Sequence, residues 1–171
     1  SSIYKVNEFS IIKEDENGIY NFKNGPIKIK NLSFAYNKID NVFSNFSCNI
    51  NENEKVLING LSGCGKSTLS YILSKQLKYD KIIDKKYNRF ESILDESSAN
   101  ISGGEKQRII LARGLVQSGN IIILDEALSE VNIDMEERII RRIFKHFKEK
   151  TIIYISHKKY NKLFDNVIYM N

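Results

Sequence analysis

The chain has 171 residues, of which 42% are hydrophobic and 27% are charged, as expected for one globular domain with a buried core. No apolar run approaches the ~20 residues of a bilayer-spanning helix, no signal-peptide pattern is present, and two cysteines do not indicate a disulfide scaffold, so we expect a cytosolic protein. The net charge of +5 allows an anionic partner, but the basic residues do not interleave with exposed aromatic residues, and we expect no nucleic-acid binding.

The first 26 residues show weak hydrophobic periodicity and end at the only proline, Pro26. We expect a linker segment over residues 1–26 and a single domain over residues 27–171.

The domain begins with two stretches of alternating apolar residues, 27–36 and 42–50, which predict antiparallel strands. Tyr36 ends the first stretch and is a candidate to stack on an adenine base, although a tyrosine in such a strand is otherwise a core residue or a surface ring.

The stretch from Gly60 to Thr68 fits G-x-x-x-x-G-K-[ST], the pattern of the phosphate-binding P-loop. A short apolar run, Val56–Ile58, precedes it, and apolar residues at helical spacing follow from Leu69. In this strand, loop and helix arrangement, backbone N–H groups and the helix N-terminus bind phosphate. Lys66 can reach the β- and γ-phosphates, and the hydroxyl of Ser67 can hold Mg²⁺. The predicted nucleotide-binding residues of the loop are Gly60, Ser62, Gly63, Cys64, Gly65, Lys66, Ser67 and Thr68.

Residues 79–100 are polar and predict irregular structure, and a second glycine-containing helix start follows them. Ser102 and Glu105 have the spacing of a capping box around Gly103 and Gly104. Two adjacent glycines lower helix propensity at this point. They are explained if backbone amides must approach a ligand closely.

Two later apolar strands end in polar residues. Residues 121–124 are wholly apolar, as in the centre of a parallel sheet, and Asp125 and Glu126 follow them. One carboxylate at such a strand end can organise Mg²⁺, and the other can orient and deprotonate a water molecule. A helix is predicted over residues 134–148, and Glu136 and Glu137 near its N-terminus complement the helix dipole. A strand over residues 151–155 follows and leads to His157. A histidine there can bind a phosphate or a water. Residues 167–169 predict a last strand.

Together these motifs resemble the nucleotide-binding domain of an ABC ATPase over residues 27–171. The residues Ile101–Glu105 resemble the signature sequence that defines that family. The resemblance implies an α/β fold, with a P-loop NTPase core, a mainly parallel sheet and an N-terminal antiparallel β subdomain. The sequence of residues Asn100–Gly104 is most similar to the corresponding segment of exporter-type domains, especially those of peptide or bacteriocin exporters.

The resemblance also implies a role for each matching residue. The catalytic residues would be Lys66, Glu126 and His157, and the Mg²⁺ ligands would be Ser67 and Asp125. The other nucleotide contacts would come from Tyr36 and from Ser102, Gly103 and Gly104 of a second copy.

By the same resemblance, the protein would bind and hydrolyse ATP with Mg²⁺ to power transport across a membrane. Its partners would be a second copy, paired head-to-tail around two ATP molecules, and the transmembrane domain of an exporter. It would lie at the cytoplasmic face of the membrane. Two alternatives remain open, namely a soluble ABC-type ATPase that acts on nucleic acid and a nucleotide-binding module that does not hydrolyse ATP.

The spacing between the motifs departs from the family pattern. Lys66 and Ser102 are 36 residues apart, whereas the family has a longer segment with a Q-loop strand and a helical subdomain. Gln76, the only glutamine between them, lies in the P-loop helix, so there is no Q-loop candidate. The helical subdomain is either truncated in the chain or missing from the printed sequence. We favour the second explanation, because loss of a core strand would leave buried backbone groups unpaired. A smaller departure is Asn132, where the family has the D-loop aspartate.

Overall fold

The computed structural model describes residues 3–5, 8–9, 25–36, 41–76, 83–84, 103–116, 119–160 and 162–170. In this part of the chain, nine strands form two sheets, and three helices accompany them. None of the described helices has the length and apolar character needed to cross a bilayer. The elements in chain order are β1 (Ile3–Lys5), β2 (Glu8–Phe9), β3 (Ile27–Ala35), β4 (Asn41–Ile50), β5 (Lys55–Gly60), α1 (Lys66–Gln76), β6 (Ile83–Asp84), α2 (Gly103–Val116), β7 (Ile121–Asp125), α3 (Ile133–His146), β8 (Thr151–Ser156) and β9 (Asn166–Met170).

The first sheet is antiparallel and is built around β3. Strand β4 pairs along one side of β3, and β1 and β2 pair along the other side in a single register. The prediction of two antiparallel strands from the alternating residues is therefore confirmed. Strands β1 and β2 come from the segment that we expected to be a linker, and the boundary at residue 26 stays a prediction.

Irregularities interrupt the β3–β4 pairing at two asparagines with left-handed backbone. Asn31 has φ 53° and Asn45 has φ 57°, a conformation that asparagine adopts more readily than most residues. Each backbone N–H donates to a serine hydroxyl across the pair, Asn31 to Ser47 at 2.9 Å and Asn45 to Ser33 at 3.1 Å. The serine side chains therefore satisfy the donors that the interrupted ladder leaves.

The second sheet is wholly parallel, with the strand order β6-β7-β8-β5-β9. A parallel sheet together with an antiparallel one confirms the predicted α/β class. The expectation that residues 79–100 are irregular was wrong at β6, which pairs Ile83 with Leu124 and Asp84 with Asp125. Two residues are too few to show a hydrophobic period, so the sequence pattern did not reveal this strand.

Side chains of β5, β7 and β8 are buried on both faces of the parallel sheet, which explains their uninterrupted apolar runs. One face packs on α1 and on the antiparallel sheet, and the other packs on α2 and α3. The sheet residues of the first face are Val56, Ile58, Ile121, Ile123, Ile153 and Ile155, and those of the second are Leu57, Ile122, Leu124, Ile152 and Tyr154.

Helix α3 is shorter than the predicted range of 134–148. It begins after Asn132, whose side-chain oxygen accepts from the backbone N–H of Met135 at 2.9 Å. Asparagine and aspartate serve about equally well at this capping position, so the departure at Asn132 preserves the helix start. The helix ends at His146, because the chain turns at Phe147, whose carbonyl accepts from the N–H of Lys150 at 3.2 Å.

At the amino ends of the parallel strands, the buried Lys55 connects two turns. Its Nζ atom donates to the carbonyls of Asn53 at 2.6 Å, Lys148 at 2.6 Å and Lys150 at 2.9 Å. Burial lowers the pKa of Lys55, while the charges of Asp165 and Glu149 oppose that shift. The ammonium group therefore joins the turn before β5 to the connection between α3 and β8.

Replacing this lysine with an apolar residue of similar length tests its contribution. Lys55→Met should lower the free energy of unfolding by about 2 kcal/mol, because three backbone carbonyls lose a charged donor. Urea unfolding measures the difference, with Lys28→Met at an exposed position of β3 as the matched control. Equal stability of the two variants would contradict this role of Lys55.

Candidate functional site

The carboxyl ends of three adjacent strands bring the predicted site residues to one edge of the parallel sheet. Strand β5 leads into the glycine loop, β7 ends at Asp125, and β8 ends at Ser156, just before His157. Because β7, β8 and β5 are neighbours and run in the same direction, these three ends lie side by side. In open α/β sheets this edge is the place where ligands bind.

Two glycines give the loop between β5 and α1 its shape. Gly63 has φ 86° and Gly65 has φ 93°, both in the left-handed region that favours glycine. A Cβ atom on Gly65 would lie 2.7 Å from Cγ1 of Val42 and 3.1 Å from the ring of Phe43. The loop therefore packs against β4 at a point where no larger residue fits.

Lys66 opens α1 and folds back over the loop. Its Nζ atom donates to the carbonyls of Gly60 at 2.9 Å and Leu61 at 2.6 Å, and its side chain is buried. Ser62 and Ser67 are exposed beside it. The positive charge of Lys66 and the N-terminus of α1 thus lie at the same place, as a phosphate site requires.

Tyr36 lies beside the first turn of α1. Its hydroxyl is 3.0 Å from the buried hydroxyl of Thr68, and its ring meets Phe34 edge-on at 4.9 Å between centroids. The side chain of Tyr36 is 59% exposed. These contacts hold an exposed aromatic ring next to the glycine loop, and its role in adenine stacking stays a prediction.

The two carboxylates after β7 differ in environment. Asp125 is buried, whereas the side chain of Glu126 is 40% exposed and its Oε1 atom lies 3.4 Å from Nδ1 of His157. Glu126 has φ 48°, an uncommon conformation for a residue other than glycine. Glu126 thus combines a left-handed backbone conformation at the end of β7 with a side-chain contact to His157.

The residues predicted to hold Mg²⁺ suit an ion that takes most of its ligands from water and phosphate oxygens. Among the described residues, no three His, Cys, Asp or Glu side chains converge as a complete metal site. Mg²⁺ is commonly bound through one or two protein oxygens, with waters and phosphate oxygens completing its shell. Asp125 and Ser67, a carboxylate and a hydroxyl at the same sheet edge, suit this role together with a phosphate ligand.

The signature segment is described only in part. Helix α2 begins at Gly103 and includes Gly104, while Ser102 lies outside the described residues. The capping box and the contact of Ser102, Gly103 and Gly104 with a second copy therefore stay predictions.

Gln107, which no sequence motif indicated, links α2 to the loop after β7. Its Nε2 atom donates to the hydroxyl of Ser129 at 3.2 Å, and its Oε1 atom accepts from the N–H of Glu130 at 3.1 Å. The side chain is buried. Its position four residues before the buried Leu111 was the available signal, because residues at this spacing share a helix face.

A second group that the sequence reasoning did not identify surrounds Glu136. We expected this residue to complement the dipole of α3, but its side chain is buried and accepts three hydrogen bonds. The donors are the Tyr154 hydroxyl at 2.5 Å, the Lys158 Nζ atom at 2.5 Å and the Tyr160 hydroxyl. Lys158 also donates to the carbonyl of Val131 at 3.0 Å. The cluster thus joins the start of α3, the loop before it and the segment after His157.

Both tyrosines of this cluster remain neutral donors at physiological pH. Burial raises the pKa of Tyr154, and the neighbouring Tyr160 and Glu136 raise it further. Burial also raises the pKa of Tyr160, and its hydrogen bond to Glu136 acts in the same direction. Since both folded-state pKa values exceed the ordinary value of 10.0, the stabilisation by these hydroxyls is complete below pH 10 and is lost only at higher pH.

A family model described as ABC transporter matches this chain over residues 43–92 and 81–129. The two matches together cover about half of the chain and overlap at residues 81–92.

Two curated transport proteins are similar in sequence to this chain. The lactococcin-G-processing and transport ATP-binding protein LagD of Lactococcus lactis is 28% identical over 80% of this chain, and an ATP-dependent lipid A-core flippase of Haemophilus influenzae is 24% identical over 85%. The alignments cover 28% and 36% of those proteins, so the chain spans about a third of their length. The solved structure of a bacterial Atm1-family ABC exporter with ATP bound has a TM-score of 0.60 and 20% identity, covering 80% of this chain and 35% of that one.

The alignments are longer than the part of this chain that they cover. The match to LagD spans 201 residues, whereas 80% of this chain is about 137 residues. The match to the flippase spans 212 residues, whereas 85% of this chain is about 145. In both relatives, about 65 positions have no counterpart in this chain.

Breaking the buried cluster should be costly. Glu136→Gln should lower the free energy of unfolding by about 3 kcal/mol, because the partly buried Lys158 loses its charged partner. Urea unfolding of this variant is compared with that of Glu137→Gln. In the wild type, the carboxylate of Glu137 makes a 3.5 Å ion pair with the exposed Arg141. The control should change stability by less than about 1 kcal/mol. A loss of that small size in Glu136→Gln would show that the cluster contributes little.

Proposed function

Because the chain belongs to the ABC transporter family, we propose that it is an ATP-binding domain that hydrolyses ATP to drive export across a membrane. The observation that carries the proposal is the convergence of the glycine loop with Lys66, the strand end with Asp125 and Glu126, and His157 at one sheet edge. This edge combines a phosphate-binding helix N-terminus with a carboxylate that can act on water.

In the proposed reaction, each residue acts on the terminal phosphate or on the attacking water. The loop amides and Lys66 bind the β- and γ-phosphates and stabilise the charge of the transferring phosphoryl group. Glu126 orients the water and accepts its proton, and His157 holds the γ-phosphate beside it. Mg²⁺, held by Ser67 and Asp125, would neutralise charge on the phosphates when bound.

The proposed partners are a second copy of the chain and a membrane-spanning exporter domain. Helix α2 begins with two glycines whose bare backbone amides form a further anion site, although the glycine loop already provides one. Two such sites on one small domain suit a head-to-tail pair closed by its own nucleotide. Because LagD is named as a lactococcin-G-processing and transport protein, we propose a peptide as the cargo. The resemblance to exporter-type domains supports the cytoplasmic face of the membrane as the proposed location.

A second candidate function is a nucleotide-binding module that does not hydrolyse ATP. It is supported by the roughly 65 positions of the relatives that have no counterpart here, together with the lack of a Q-loop candidate between Lys66 and Ser102 in the sequence. An intact mass near 19.8 kDa for the purified natural protein would support a real deletion. Tight ATP binding without phosphate release at any protein concentration would then favour this candidate over hydrolysis.

Replacing the proposed catalytic carboxylate tests hydrolysis directly. Glu126→Gln should bind ATP with unchanged affinity and form a stable dimer, but its phosphate release should fall at least about a hundredfold, because the amide cannot accept a proton. Glu137→Gln serves as the control and should retain full activity. Rapid turnover by Glu126→Gln would reject the assignment.

The aromatic ring at the loop can be separated from its hydroxyl. Tyr36→Ala should weaken ATP binding about tenfold, since base stacking on an aromatic ring contributes about 1–3 kcal/mol. Tyr36→Phe keeps the ring, loses only the hydrogen bond to Thr68, and should bind nearly as well as the wild type. Titration with a fluorescent ATP analogue measures both. Equal affinity of the alanine variant and the wild type would contradict adenine stacking.

Alkylation at Cys64 should block ATP binding, and bound ATP should protect the thiol. Its sulfur lies 3.9 Å from Nζ of Lys66 and would lie 2.7 Å from a Cβ on Gly60, so an added group would crowd the loop. Cys48 is the internal control, because burial raises its pKa to about 12 and so lowers the fraction of reactive thiolate. Mass spectrometry locates the label, and full ATP binding after complete modification of Cys64 would refute the prediction.

A further inference from the structure

Asn59, the residue before the first loop glycine, donates two hydrogen bonds to the segment that carries His157. Its Nδ2 atom lies 3.0 Å from the carbonyl oxygen of Ser156 and 2.7 Å from that of Lys158. A primary amide has two N–H donors on one nitrogen, and here each meets a different carbonyl. The two acceptors flank His157 in the sequence, so one side chain holds the backbone on both sides of the histidine.

The position of Asn59 makes it a direct link between the two parts of the site. Strand β5 lies between β8 and β9, and Asn59 is paired in register with Ser156 of β8. Gly60 follows Asn59 and accepts from Nζ of Lys66. The path from the phosphate-binding lysine to the His157 segment therefore passes through two consecutive residues of one strand.

Other contacts fix the same segment from its far side. The backbone N–H of Lys158 donates to the hydroxyl of Ser156 at 3.1 Å, and Nζ of Lys158 donates to the buried Glu136. His157 itself is half exposed and has the 3.4 Å contact with Glu126. The segment is thus held by Asn59 toward the glycine loop and by Glu136 toward α3, while the imidazole points to the proposed catalytic carboxylate.

We infer that Asn59 is a positioning residue that couples the glycine loop to His157, an inference that rests on the proposed ATP hydrolysis. It keeps the carbonyls of Ser156 and Lys158 turned toward β5, and so keeps the imidazole of His157 beside Glu126. A valine at position 59 would fit the strand, but its side chain has no hydrogen-bond donor. The carbonyls of Ser156 and Lys158 would then be free to turn away from β5. Because Asn59 acts through His157, its loss affects turnover more than nucleotide binding.

The test replaces Asn59 with valine and, as a second folded variant, with serine. Each should lower kcat for ATP about ten- to a hundredfold, since small displacements of a reacting group have effects of this size, while KM for ATP changes less than about threefold. Asn49→Val is the matched control and should leave kcat unchanged. Among the described residues, the Nδ2 atom of Asn49 donates only to the exposed side chain of Asn51, at 3.2 Å.

A double-mutant comparison asks whether Asn59 acts through the histidine. If it does, Asn59→Val should cause no further loss of kcat in a His157→Ala background, because the effects of coupled residues do not add. Full additivity of the two losses would overturn the inference, as would an unchanged kcat in both single variants of Asn59.

Hydrogen exchange provides a readout that does not depend on turnover. Without nucleotide, exchange over residues 156–160 should be faster in Asn59→Val than in the wild type, whereas exchange in α1 should stay the same. If the wild type does not hydrolyse ATP, the proposed function fails, and this measurement alone decides the inference. Unchanged exchange over residues 156–160 would then overturn it.

Discussion

The site depends on the parallel pairing of β7, β8 and β5, whose side chains are buried on both faces of the sheet. A register slip in any of them would turn one set of side chains into the opposite core, and both cores are filled. The register is therefore strongly determined, and it fixes how far each strand extends toward the glycine loop. The proposed chemistry requires a lysine, two carboxylates and a histidine close together, and of these only Asp125 lies within a strand.

Polar groups divide between the two ends of these strands. At the amino ends, Lys55 binds three backbone carbonyls from two turns, and its own side chain is buried. At the carboxyl ends, Glu126 and His157 remain partly exposed and can meet a ligand. This division separates the contacts that hold the fold together from the edge that is proposed to bind the nucleotide.

Much of this arrangement could be predicted from the sequence because its signals are local. The glycine loop, the apolar runs of β5, β7 and β8, and the carboxylates after β7 each lie within a few consecutive residues, where spacing indicates structure. The contacts of Asn59, Gln107 and Glu136 could not be predicted in this way, because their partners are 18 to 99 residues distant. Whether a buried polar residue finds such partners is decided by tertiary packing, and a single polar letter in the sequence does not indicate it.

The left-handed backbone at Glu126 has a consequence for protein engineering. A residue with a Cβ atom loses about 1–2 kcal/mol in this conformation, whereas glycine does not, and asparagine tolerates it better than glutamate. A selection for thermal stability alone would therefore favour glycine or asparagine at this position. Such a selection would remove the carboxylate of Glu126 that faces His157, so stability and the proposed activity compete at a single residue.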